Sequence, residues 1–197
     1  MPIVPDRSLS EGHTGVIIFC VEISPMNLVE AFRLWFQQEC HASRLTLEML
    51  QSVPDSRKQD PAFARAVNLF GHQLACRTNW LIRMTGSKKV LEPWWPDCEF
   101  TNLSSKMAMV EAEWQTFIGG LSEDEIDRDF DFSTTSGTYR WNVAGQLMQL
   151  VGHGFYHRGQ IALLVHELGG ETVDTDYLYW AYEENPHRWG LLPLPTQ

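Results

Sequence analysis

The stretch VGHGFYHRGQ, residues 151–160, places His153 and His157 four positions apart with Arg158 and Gln160 beside them. Histidines at i and i+4 leave one face of a helix with Cβ atoms roughly 6 Å apart, and their nitrogens can then share one divalent cation at roughly 2.1 Å. Two imidazoles turned into a core without a partner would strand polar atoms at roughly 1–3 kcal/mol each. A metal, a carboxylate, water or the backbone must therefore satisfy them. A third ligand has to come from a facing helix, and His72 is the candidate, with Cys76 and Trp80 one and two turns later on its own helix. Spacing alone leaves a plainer alternative open, in which His72, His153 and His157 are core histidines bonded to water or backbone. It does narrow the metal chemistry. No glutamate stands three residues before any of the three, as carboxylate-bridged di-iron bundles require, and Gly154 occupies the position of the glutamate in the zincin motif HExxH. His13, His41, His166 and His187 have no partner at metal-binding spacing.

The elements that would position these residues are helical. Leu28, Phe32, Trp35, Phe36, Cys40, Leu47 and Leu50 recur near helical spacing, which predicts a first helix from Pro25 to about Ser52 with Ser24 as its cap. The second carries His72 and runs from Asp60 as cap, through Pro61 in the first turn, to Gly86 as a left-handed stop. A third is expected from about Ser104 to Gly119 on the stripe Met107, Val110, Trp114 and Phe117, and SEDE at 122–125 resembles a capping box for a short turn. The alternating DFDFSTTSGTYRW reads as a small β-hairpin. The fourth helix, from about Asn142 to Leu168 with Gly169 and Gly170 as its stop, aligns Leu150, His153, His157, Ile161, Leu164 and Leu168, so both histidines are expected to point inward. A short aromatic helix follows at about Asp176–Glu184. The loop from about Ser87 to Asn102 contains EPWWPDC, whose prolines forbid a regular helix and which could cover an opening in the domain. The boundaries that follow are an N-terminal appendage at 1–25, one bundle at 26–185 and a tail at 186–197.

A chain of 197 residues with 44% hydrophobic content fits one globular domain stabilised by burial. Its formal charge of -10 and pI near 5.1 weigh against a phosphate-binding face, so a small-molecule substrate is expected and nucleic acid is not. The apolar run GVIIFCVEI is too short to span a bilayer and lacks a basic region ahead of it. Cys20, Cys40, Cys76 and Cys98 form no CxxC pair and read as free thiols of a reducing compartment, so the cytoplasm is the expected location and no membrane partner is anticipated.

With these residues in place, the sequence resembles the DinB/YfiT-like superfamily of small four-helix metalloproteins over about residues 26–182. The resemblance is carried by GHQLACRTNWL on the second helix, LSEDEIDRDF before the hairpin, HGFYHRGQIALLVHELGG on the fourth helix, and DTDYLYW after it. Its specific part is HxxxHRGQ. Gly152 departs from the pattern, since asparagine is common there, and residues 1–25 precede the usual start. The resemblance implies an all-α four-helix bundle with a small β-hairpin and a short C-terminal helix. It further implies a divalent metal ion, whether Zn, Ni, Fe or Mn, held by His72, His153 and His157.

Three neutral histidines would leave one to three coordination positions open, as a catalytic centre requires. Relatives of this kind include thiol-dependent S-transferases and isomerases, which implies a low-molecular-weight thiol as cosubstrate. Others are described as metal-dependent hydrolases, for which metal-activated water would be the nucleophile. A third class is a non-catalytic metal-binding stress-response module. A homodimer is a further expectation of the resemblance. Arg158 is a candidate contact for a substrate carboxylate, with a salt bridge to a neighbouring helix as its alternative. Gln160 could hold the second nitrogen of a ligand histidine or simply cap a polar gap, while Tyr156 reads as packing and Cys76 as a small buried hydrophobe. Trp80, Trp94 and Trp95 belong either to a pocket wall or to the core.

Overall fold

The computed structural model describes residues 26–184, so the appendage expected at 1–25 and the tail expected at 186–197 lie outside the described residues. Four long helices form the frame: α1 (Leu28–Ser52), α2 (Pro61–Thr85), α3 (Phe100–Gly119) and α5 (Val143–Glu167). Each of α1 and α2 packs against both α3 and α5, so the four close into a ring around one core. Between α3 and α5 come a one-turn helix α4 (Glu123–Asp127) and a hairpin of β1 (Asp129–Thr134) and β2 (Gly137–Asn142). A final helix α6 (Tyr177–Glu184) docks on α1, burying Trp180. This is the expected helical bundle with a small hairpin and a short C-terminal helix. No described helix is long and apolar enough to cross a membrane.

Helix ends follow local chemistry. Asn27 caps α1, its Oδ1 accepting the Glu30 N–H at 2.8 Å, so the helix starts three residues after the expected Pro25. The expected cap, Ser24, lies outside the described residues. Asp60 caps α2 by accepting from Ala62, and Gly86 ends it at φ +64°, a conformation that glycine adopts without cost. α3 begins at Phe100 rather than Ser104, because Phe100 packs edge-on against Phe63 of α2 with ring centroids 5.5 Å apart. Ser122 caps α4 as expected, but the Glu125 carboxylate of the anticipated capping box turns to Arg128 at 2.6 Å.

Trp114 of α3, fully buried, is the centre of the core and contacts Trp35 edge-on and Phe36 in a stack at 6.0 and 6.3 Å. Aromatic side chains of this size dominate core energetics by the area they remove from water. The indole N–H donates to the Arg77 carbonyl at 3.2 Å, so the burial leaves no stranded donor. The hairpin packs against α2 through Phe130 and Phe132, whose rings meet Trp80. Its last residue, Asn142, is also the cap of α5, with Oδ1 accepting the Gly145 N–H at 2.6 Å. The hairpin therefore fixes where the histidine-bearing helix begins.

Candidate metal centre

α2 and α5 lie side by side, and His72 from the first meets His153 and His157 from the second. The Nε2 of His153 lies 3.2 Å from His72 Nε2 and 3.1 Å from His157 Nε2. His72 and His157 are buried and His153 sits at the edge of the buried stripe. That stripe runs through Leu150, Gly154, His157, Arg158, Ile161 and Val165, so α5 is rotated slightly from the expected Leu150–His153–His157–Ile161 line.

The far side of each ring decides which nitrogen carries its hydrogen. His72 Nδ1 faces the backbone carbonyl of Trp94 at 2.5 Å, and a carbonyl only accepts, so Nδ1 bears the hydrogen and Nε2 offers a lone pair. His157 Nδ1 faces Gln160 Oε1 at 2.8 Å, with the same consequence. Two bare Nε2 atoms thus flank His153 Nε2, and a single N–H on His153 could point along only one of the two contacts. A shared cation satisfies all three lone pairs. Two nitrogens bound at about 2.1 Å stand about 3.0 Å apart at a right angle and about 3.4 Å apart at the tetrahedral angle, a range that holds both observed distances. The donor set and its spacing therefore fit a divalent metal ion.

Electrostatics agree. Burial depresses the pKa of His72, and it depresses that of His153 to about 4, with further lowering by His157, His72 and Arg77. Near neutral pH His153 is therefore uncharged and able to ligate. Cys76 lies 3.6 Å from both ring nitrogens of His72 and so along neither the Nδ1–H nor the Nε2 lone pair, and burial pushes its thiol up to about 12. It behaves as a small hydrophobe.

The loop between α2 and α3 does cover the site. Trp94 supplies the carbonyl for His72, and the exposed Trp95 stacks on the His72 ring with centroids 3.7 Å apart and planes 2° apart. Trp80 and Trp94 instead flank the Arg83 guanidinium together with Phe132, at 4.8, 5.0 and 4.8 Å. Tyr156 sits edge-on to His157 at 5.0 Å and is exposed. His41 and His166 stand apart from the cluster, and His13 and His187 lie outside the described residues.

Between its two sequence roles, Arg158 takes the salt bridge. It is buried, with Nη1 donating to Glu39 Oε2 at 2.6 Å, while the other Glu39 oxygen holds Arg77. Arg77 also donates to Ser43 at 3.2 Å, and the Phe155 ring lies 4.6 Å from the Arg158 guanidinium. Two cations and one anion are thus sealed under His153. Sequence reasoning missed this triad, although a glutamate on the inward stripe of α1 signals a buried partner, because an isolated ionised carboxylate is too costly to bury. Of its two roles, Gln160 takes the one that holds the second nitrogen of a histidine, His157.

Family comparison agrees with this geometry. The model of the DinB family matches residues 27–188. The chain belongs to the DinB family. The match takes in all four long helices of the bundle and each of the three histidines that α2 and α5 bring together. No curated protein and no solved structure matches the chain. DinB membership and a three-histidine cluster together fit a metal-dependent protein.

Proposed function

We propose that this DinB-family chain is a metal-dependent enzyme in which His72, His153 and His157 hold one divalent cation, and that it transfers or isomerises a small molecule by way of a low-molecular-weight thiol. The observation that carries the reading is the convergence of the three Nε2 atoms, two of them with hydrogen-bond partners that direct their lone pairs inward. A cation held there supplies Lewis acidity and lowers the pKa of a bound thiol or water. The chain's own part is to present three imidazoles, to fix two of them through Trp94 and Gln160, and to shield one flank with the Trp95 ring. Among the described residues, the polar groups that touch the imidazoles are a carbonyl, an amide and a buried thiol, which suits a substrate bringing its own acidic S–H. That S–H would give up its proton, its sulfur would form a bond to an electrophilic carbon of the second substrate, and the leaving group would depart with its electron pair and take up that proton. Arg158 is spent on the buried ion pair with Glu39 and is assigned no contact with substrate.

Metal analysis after purification, with melts before and after chelation, tests the centre. One divalent ion per chain is expected, and His72→Ala, His153→Ala and His157→Ala should each lose it while remaining folded. A ligand at a hundred times its Kd adds about 2.7 kcal/mol of stability, so the melt should shift on chelation. A screen of thiols against electrophiles should then show metal-dependent thiol consumption. Turnover of ester or amide panels without added thiol would move the reading to a hydrolase. Metal binding without turnover in either screen would leave a binding module, and a metal-free wild type would overturn the centre itself.

A further inference from the structure

The loop that covers His72 is strapped along one face of α2. Asn68, His72, Asn79 and Arg83 lie on one helical stripe, and the loop runs antiparallel to it. At one end the fully buried Asn79 makes two hydrogen bonds to the backbone of Glu92, with Nδ2 donating to its carbonyl at 2.9 Å and Oδ1 accepting its N–H at 2.8 Å. At the other end Asn68 Oδ1 accepts the Cys98 N–H at 2.9 Å. Between these anchors come Trp94, whose carbonyl holds His72, and Trp95, whose ring stacks on it.

The strap has little slack. Asn68 and Asn79 are separated by about 16 Å along the helix axis, while the six peptide units from Glu92 to Cys98 reach at most about 20 Å. Pro93 and Pro96 bracket the two tryptophans and lock φ, so a shift at Glu92 is passed on to Trp94. Asparagine is a poor residue for a helix interior, and its amide here has both its functions spent on the loop. We propose that Asn79 is a positioning residue for the metal centre, holding through Glu92 the segment that fixes the ring of His72.

The inference rests on the three-histidine metal reading, and its test separates the two. Zinc and nickel affinities are measured on the full chain, and long-range 1H–15N spectra of the metal-free protein at one fixed pH report imidazole tautomers, with His72 assigned from His72→Ala. Asn79→Ala should raise the metal Kd about 10–100-fold, the usual cost of losing support behind a ligand. It should also replace the single Nδ1–H form of His72 by a mixture of tautomers, with His157 unchanged. Pro93→Gly, at an exposed loop position, leaves α2 intact and should act in the same direction with a smaller loss. Leu81→Ala, a buried truncation on α2, controls for general destabilisation and should move neither readout. Wild-type Kd and a single His72 tautomer in both Asn79→Ala and Pro93→Gly would overturn the proposal. If the wild type binds neither metal, the metal reading falls, and the tautomer comparison alone then supports or overturns the role of Asn79.

Discussion

Replacing Glu39 by glutamine tests the ionic scaffold under the histidines. The carboxylate is 1% exposed and is shared by two guanidiniums that are 7% and 2% exposed. Its amide isostere keeps the volume and removes the only negative charge in the triad, so that Arg158 loses its paired carboxylate and Arg77 keeps only the longer-range field of Glu111. Removing one partner of a buried ion pair costs about 3–5 kcal/mol, because the remaining charge keeps its desolvation penalty and loses its compensation. Against a typical stability of about 5–15 kcal/mol that is a large fraction. At about 2–4 °C per kcal/mol for a domain of this size, Glu39→Gln should lower Tm by about 6–20 °C. Calorimetry or a circular-dichroism melt of the metal-free protein reads it directly. The triple change Glu39→Leu, Arg77→Met, Arg158→Met should recover most of the loss, since apolar groups of similar volume leave no charge to desolvate. A Glu39→Gln variant melting within about 2 °C of wild type would refute the reasoning, because a buried guanidinium stripped of its paired carboxylate cannot be that cheap.

Two further outcomes follow from named contacts. The pKa of His153 is held at about 4 against an ordinary value of 6.5, so between these pH values the unfolded chain carries a proton that the native chain does not. The stability of the metal-free protein should therefore fall as pH is lowered through that window and level off below it, with His72 contributing in the same direction. Denaturant titrations at stepped pH should show the slope and its reduction in His153→Ala, and a flat profile from pH 7 to 4.5 would contradict it. Gly71→Ala would place a Cβ 2.3 Å from Cys98 Sγ, forcing the strap off α2. It should cost about 1–3 kcal/mol, of which the double variant Gly71→Ala, Cys98→Ala recovers part, as denaturant melts would show.

The helical frame was legible because it is written in local chemistry. Asp60 and Gly86 bound α2, and an apolar stripe recurs along each long helix, so periodicity and caps were enough. The pair His153 and His157 was legible for a related reason, since their four-residue spacing sets their separation whatever the rest of the fold does. α3 starts four residues ahead of the position its apolar stripe suggests, because the signal for its start is tertiary, the packing of Phe100 on Phe63.

By itself the sequence determined which residue types stand at helical spacing, and hence that two imidazoles would leave one face of one helix. Only the tertiary structure decided that His72 would complete the set, that the Trp94 carbonyl and Gln160 would aim two rings, and that Arg158 would be spent on Glu39. The physical reason is range. Caps and stripes are contacts within a few residues, whereas the Glu39–Arg158 pair spans 119 positions and His72–His153 spans 81, separations that exist only once the four helices have closed on their common core.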